Sequence, residues 1–146
     1  MPNVFLYGPD TFRKRTFERI GACTVLGSAR LDGYALNFNK PNMKNEKEGF
    51  ANLTPEPGET IYGVVFELEE AQTEMLAGYF GGYQSETVKV QVRKLDQEVE
   101  ATIYIARRSG QGLKPSQAVL DDAIRGAEEN GLPKDFLEKL QALVAI

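Results

Sequence analysis

The run Ile61-Tyr62-Gly63-Val64-Val65-Phe66-Glu67-Leu68 is almost continuously apolar. A strand with one wet face alternates apolar and polar residues, so an unbroken run of this length predicts a central strand covered on both sides. Two later segments do alternate. Val88, Val90 and Val92 share one parity with Lys89, Gln91 and Arg93 on the other, and Val99, Ala101, Ile103 and Ile105 form a second set. With Asp96-Gln97 between them, they predict an antiparallel hairpin. These segments require a sheet, and the helical patterns around it must cover what the sheet leaves apolar.

In chain order, Asn3 to Tyr7 reads as a strand that breaks at Gly8-Pro9-Asp10, and Thr11 to Ile20 as a short helix stopped by Gly21. Asp10 is placed to cap that helix. A strand that ends at glycine and feeds a helix also leaves backbone amides free, a common cradle for anionic or carbonyl groups. Ala22 to Ala29 and Tyr34 to Phe38 read as strands around a Leu31-Asp32-Gly33 turn. Asn39 to Glu48 is polar, without period, and reads as a solvated loop; Gly49 to Leu53 is a short strand; Pro55 to Gly58 is a tight connection into Thr60 to Leu68.

Glu69 to Phe80 follows as a helix with Ala71, Met75, Leu76 and Tyr79 on one stripe. Ser109 to Gly112 is a glycine-rich flexible connection, with no helix-opening Lys-Ser or Lys-Thr to make it a phosphate cradle. Ser116 opens a helix with Val119, Ala123, Ile124 and Ala127 inward, stopped at Asn130-Gly131. Leu132-Pro133 starts a last helix with Phe136, Leu137, Leu140 and Val144 inward. The pattern is α+β: a single domain over residues 1–146 with a mixed or antiparallel sheet curled into a small β-barrel and surrounded by helices.

Composition removes several classes of function. The chain has 146 residues, enough to bury an independent core, and no histidine. Ser-His-Asp, Cys-His and histidine-ligated metal sites are therefore excluded. The single cysteine, Cys23, cannot form an internal disulfide and reads as core. No metal or cofactor is expected, and acid-base work falls to carboxylates, lysines or tyrosines. A net charge of -4 and a pI near 5.0 argue against nucleic acid as a partner, with Arg13, Lys14 and Arg15 read as a solvated helix face. No segment has the length of a membrane span and Met1-Pro2-Asn3 has no signal-peptide character, so a cytoplasmic location away from membranes is expected.

A resemblance now covers Asn3 to Leu140. Val4-Phe5-Leu6-Tyr7-Gly8 resembles the first strand and Tyr-Gly-Ser-Asn loop of the gamma-glutamylcyclotransferase family, the AIG2-like group. Ala29-Arg30-Leu31-Asp32-Gly33-Tyr34-Ala35-Leu36-Asn37-Phe38, Gly49 to Leu53 and Ile61 to Phe66 are similar to its next landmarks in the same order. Pro115-Ser116 and Gly126-Ala127-Glu128-Glu129-Asn130-Gly131-Leu132-Pro133 resemble its C-terminal helix. The resemblance implies a small barrel whose pocket floor is the first loop. It also implies a glutamate acid-base that lets a substrate α-amino group attack its own γ-carbonyl, releasing 5-oxoproline.

Set against that resemblance, the acid-base position falls on Phe80, and the loop's Ser and Asn become Pro9 and Asp10. Phenylalanine exchanges no proton, proline removes a backbone donor, and an ionised Asp10 repels a substrate carboxylate. One carboxylate could replace the lost one: Glu86 has the parity of Val88, Val90 and Val92, which points it toward the barrel interior at the pocket rim. Tyr79 and Tyr83 either donate hydrogen bonds in the pocket or pack its mouth. The candidate site is thus Tyr7, Gly8, Pro9, Asp10, Thr11, Phe80 and Tyr83, with Glu86 as the candidate catalytic residue. Three readings are carried forward: a non-catalytic relative that binds a small amino-acid-like or γ-glutamyl ligand or a partner; an active enzyme using a relocated carboxylate, Glu86 or Asp10; and an interaction module whose pocket is plugged by Phe80.

Overall fold

A computed structural model describes residues 2–146. Five strands close into a barrel in the order β1-β3-β2-β4-β5. They are β1 (Asn3–Leu6), β2 (Thr24–Asn42), β3 (Asn45–Glu67), β4 (Tyr83–Val92) and β5 (Gln97–Ala106). All ladders are antiparallel except the closing one, where β1 meets β5 in parallel at Val4 and Thr102. Among the described residues, four α-helices surround the barrel: α1 (Arg13–Ile20), α2 (Glu70–Ala77), α3 (Gln117–Glu129) and α4 (Lys134–Gln141). The α+β barrel expected from the sequence is the observed architecture.

Ile61 to Phe66, half-buried Tyr62 apart, is buried as predicted because β3 is flanked by β1 on one side and β2 on the other, with apolar layers inside and outside the barrel. One layer fills the barrel and includes Phe5, Tyr7, Leu53, Ile61, Val65, Val90 and Ile103. The other lies between its outer wall and helices α1 and α2, and includes Leu6, Ile20, Phe66, Leu76, Phe80 and Tyr104. A strand that serves both layers is apolar on both faces from Val64 to Phe66, while Tyr62 before them is half-buried.

Several expected boundaries shift. The Leu31-Asp32-Gly33 turn does not separate two strands: β2 runs through it for 19 residues, with a register shift between Asp32 and Tyr34 where Gly33 has φ 87°. A glycine at positive φ serves a bulge as well as a hairpin turn, and the long β3 partner selects the bulge. The expected loop Asn39 to Glu48 is the tip of the β2–β3 hairpin, turning at Met43-Lys44. Gly49 to Leu53 and Thr60 to Glu67 join in β3, with Leu68 just beyond its end, and the register jump from Thr60 to Pro55 loops out the residues between. The Ser109 to Gly112 bridge is tied down, since the Gly110 N–H donates to Asn39 O at 2.8 Å.

Helix α2 is shorter than predicted and turns a different face inward. Met75 and Tyr79 are about half exposed, and Ala71 is exposed, whereas Leu76 is buried. The inner face is set by Gln72, whose side chain donates to Ile20 O and Ala22 O and accepts from the Glu69 N–H. Val144 lies beyond α4 and is 66% exposed, although Leu140 packs inward as expected.

Helix α3 crosses the turn Gly8–Thr11, a single 3-10 turn between β1 and α1, at Gly126. A Cβ there would lie 2.0 Å from Thr11 Oγ1 and 2.7 Å from the Phe12 backbone nitrogen. Alanine at a helix position ordinarily gains about 1 kcal/mol over glycine. Here the clash is with main chain and the sign reverses: Gly126→Ala should lower stability by about 1–3 kcal/mol or more, as overpacking does, measured as a fall in the urea midpoint. An unchanged or raised midpoint would contradict this contact.

Candidate functional site

The turn after β1 is held from several sides. Gly8 has φ 61°, a conformation that favours glycine, and its α-carbon faces Ala51. Thr11 Oγ1 donates to Gly8 O at 2.8 Å, and Thr16 Oγ1 donates to Asp10 O at 2.7 Å. From α3, Asn130 Nδ2 donates to Thr11 O at 2.9 Å, while the Arg13 N–H donates to Glu129 Oε2 at 3.0 Å. These contacts give a structural use to Gly126, Glu129 and Asn130 of the C-terminal motif.

Beside this turn lies a cavity of about 250 Å³ whose wall includes Tyr7, Pro9, Asp10, Lys40, Phe80 and Tyr83. Arg15, Arg19, Phe50 and Tyr79 also line it. Five of the expected site residues therefore converge. Gly8 and Thr11 do not line the cavity: both are buried in the support of the turn, Gly8 against Ala51 and Thr11 against Gly126.

Asp10 does not cap α1, whose N-cap residue Phe12 has no side-chain cap bond. Its Oδ1 accepts from Arg15 Nε at 2.9 Å and from Arg19 Nη1 at 3.3 Å. Arg15 also reaches Asp122 Oδ2 on α3 at 3.1 Å. The repulsion expected between Asp10 and an anionic ligand is thus countered by two guanidinium groups. Asp10 and its arginines are five and nine residues apart, and Arg15 and Arg19 share one helical face at i,i+4 spacing. That spacing was the available signal in what reads, by composition, as a solvated helix.

Phe80 forms a wall of the cavity and is 9% exposed. Its ring stacks on Tyr104 with centroids 4.3 Å apart and meets Tyr83 edge-on at 5.1 Å. The cavity remains beside it. The Tyr7 hydroxyl donates to Tyr104 O at 2.5 Å and the Tyr83 hydroxyl donates to Ala51 O at 2.6 Å. Burial holds both hydroxyls well above the ordinary tyrosine pKa, and for each a nearby charge on Asp10 adds to the effect.

Glu86 is not at the rim. It is exposed and does not line the cavity. It does have the parity of the barrel interior, opposite buried Ile103 on β5. However, β4 pairs with β2 only at Ala29–Val92 and Arg30–Gln91, and beyond that short ladder the wall opens, so the side chain meets solvent. Its neighbour is Tyr34, whose hydroxyl is raised by burial first and by the Glu86 charge second.

Sequence reasoning missed Lys40, placed in an expected loop. Its Nζ lies 5.2 Å from the Tyr83 ring centroid and 5.4 Å from that of Phe50. Among the described residues no carboxylate comes within 4.0 Å of it. Only the pairing of Lys40 with Phe50 across the β2–β3 ladder brings it to the cavity. Among the described residues no cluster of His, Cys, Asp and Glu could hold a metal ion, and no helix is long and apolar enough to cross a membrane.

Residues 60–140, more than half of the chain, match the sequence profile of the AIG2-like family. The chain belongs to the AIG2-like family. It is 26% identical over 145 residues to human gamma-glutamylcyclotransferase, covering 95% of this chain and 77% of that protein, and 27% identical over 144 residues to the bovine protein with the same coverage. A solved gamma-glutamyl cyclotransferase structure superimposes with a TM-score of 0.88 at 26% identity, over 99% of this chain and 88% of that one. YkqA from Bacillus subtilis shares the fold at 21% identity and a TM-score of 0.82, over 99% of this chain and 56% of that one. The gamma-glutamylcyclotransferase fold and family expected from the ordered landmarks are therefore correct.

The raised hydroxyls make an alkaline prediction for this AIG2-like barrel. An unfolded tyrosine loses its proton near pH 10, whereas Tyr7 and Tyr83 keep theirs in the folded state, so the unfolded chain binds fewer protons above that pH. Their contribution is fully present below pH 10 and is lost as pH rises beyond it toward the folded values. Chemical unfolding from pH 8 to 11 should show falling stability above pH 10. Tyr7→Phe should be less stable by about 1–3 kcal/mol at pH 8, because Tyr104 O loses its donor, and should show a shallower alkaline decline.

Proposed function

We propose that the cavity binds a small amino-acid-like molecule of γ-glutamyl character, and that the chain has lost the ordinary acid-base step of its family. The observation that carries this reading is the state of the one carboxylate on the cavity wall. Asp10 has its Oδ1 shared between Arg15 and Arg19, and the position that the resemblance assigns to the acid-base is Phe80, stacked on Tyr104. Loss of a general base costs about 10²–10⁴ in rate and loss of an oxyanion donor about 10²–10³. Pro9 removes one such backbone donor from the loop.

Binding is supported by what the wall still offers. Asp10 Oδ2 engages neither arginine, and Lys40 carries a positive charge without a carboxylate partner. Lys40 complements the carboxylate of an amino acid, and Asp10 Oδ2 remains as a hydrogen-bond acceptor for its ammonium group. The 250 Å³ volume falls just below the range of drug-sized sites, about 300–1,000 Å³, and favours a small ligand. The open cavity beside Phe80 speaks against the plugged interaction module, and the exposed position of Glu86 speaks against it as a relocated base.

Calorimetry with γ-glutamyl dipeptides, combined with an assay for 5-oxoproline, tests both halves of this reading. Binding is expected without turnover above background. Lys40→Met should weaken binding about tenfold or more, the size of a lost charge-assisted hydrogen bond of about 1.5–3 kcal/mol. Turnover at an ordinary enzymatic rate, abolished by Asp10→Asn or Glu86→Gln, would overturn the loss of chemistry. Absence of binding across the panel would overturn the ligand assignment.

A further inference from the structure

A second concavity of about 730 Å³ lies on the outside of the barrel, away from the Asp10 turn. Its floor is a row across three strands. Arg30 on β2 pairs with Tyr62 on β3 and with Gln91 on β4, and each sits between inward-facing neighbours, so all three project outward. Arg93, one residue beyond the end of β4, stands next along that edge, and its N–H donates to Ser28 O at 3.0 Å. The turn between α3 and α4 forms a wall through Leu132 and Pro133, with Phe136 edge-on to Tyr62 at 5.7 Å.

The polar side chains here are uncommitted. Among the described residues, Ser28, Arg30, Tyr62, Gln91, Arg93 and Asp96 make no side-chain hydrogen bond, and neither arginine has a carboxylate within 4.0 Å. The arginines of the first cavity, by contrast, are both ion-paired. The Arg93 bond to Ser28 continues the line of the Arg30–Gln91 and Ala29–Val92 pairs, which makes Arg93 the diagonal neighbour of Arg30, a spacing of about 7–8 Å at the backbone. Two long side chains from that spacing can close on one group.

We propose that this groove is a binding site for a small organic phosphate, with its phosphoryl group gripped jointly by Arg30 and Arg93. A single guanidinium satisfies both oxygens of a carboxylate in a fork, whereas a phosphoryl dianion carries more oxygens and a second charge, and takes two forks. The volume exceeds what the phosphoryl group needs and lies within the range of small-molecule sites, about 300–1,000 Å³. Gln91, the Tyr62 hydroxyl and the Leu132-Pro133 wall remain for the organic portion. Asp96, at the rim with φ 47°, opposes an anion and sets the sign of a second variant.

The test is amide NMR titration of the full chain with phenyl phosphate, with inorganic phosphate and malonate as comparison probes at constant ionic strength. Expected shifts are confined to Ser28–Leu31, Gln91–Asp96, Leu132 and Lys134, with the Tyr7–Thr11 turn unmoved. Arg30→Gln with Arg93→Gln should weaken phenyl phosphate binding tenfold or more, and Asp96→Asn should tighten it severalfold. The exposed arginines are not part of the core, so the double variant should keep its melting temperature. Undiminished binding by the double variant, equal binding of malonate, or shifts spread over other basic residues such as Arg13 and Lys14 would each overturn the site.

Discussion

The contact on which the rest of this structure depends is the crossing of α3 over the turn after β1, made possible by the missing side chain at Gly126. A four-residue 3-10 turn without a side-chain cap has little stability of its own. Here it is pressed between a helix backbone and the barrel mouth, with Asn130 and Thr16 satisfying its carbonyls and Glu129 taking the first N–H of α1 beyond it. The turn therefore presents Pro9 and Asp10 at a fixed height over the cavity. Any larger residue at 126 would lift α3 and loosen the floor of the site.

The division of the core into two layers explains how Phe80 came to be part of the cavity wall without filling it. Its ring belongs to the outer layer with Leu76, Ile20 and Tyr104, not to the barrel interior. Stacked on Tyr104, whose carbonyl accepts from Tyr7, it joins the apolar outer layer to the hydrogen-bonded rim. A carboxylate in its place would lose that stacking and much of its solvation. An aromatic residue there suits the packing of the outer layer and supplies no proton.

Both concavities collect cations in a chain whose net charge is -4. Net charge sums over a surface and says nothing about where the charges lie. In the first cavity the ladder places Lys40 between two aromatic rings, and Arg15 and Arg19 converge on Asp10. In the second, strand pairing places Arg30 beside Arg93. Asp10, Arg15 and Arg19 are local in the chain, whereas Lys40 beside Tyr83 and Arg30 beside Arg93 are brought together only by strand pairing.

What the sequence determined by itself is what depends on local pattern. The unbroken Ile61 to Phe66 run, the alternation of β4 and β5, the Ser116 cap and the order of short landmarks along the chain specified an α+β barrel of this family. They also marked the Tyr7 to Asp10 turn, where Tyr7, Pro9, Asp10, Phe80 and Tyr83 meet. Only the tertiary structure decided whether Gly33 made a turn or a bulge, because the partner strand makes that choice. It also decided that Asp10 pairs with arginines instead of capping a helix, and that the interior parity of Glu86 leads to solvent where β4 parts from β2. Periodicity tells which way a side chain points from its own strand; what lies in that direction is set by elements distant in sequence, and so is the site.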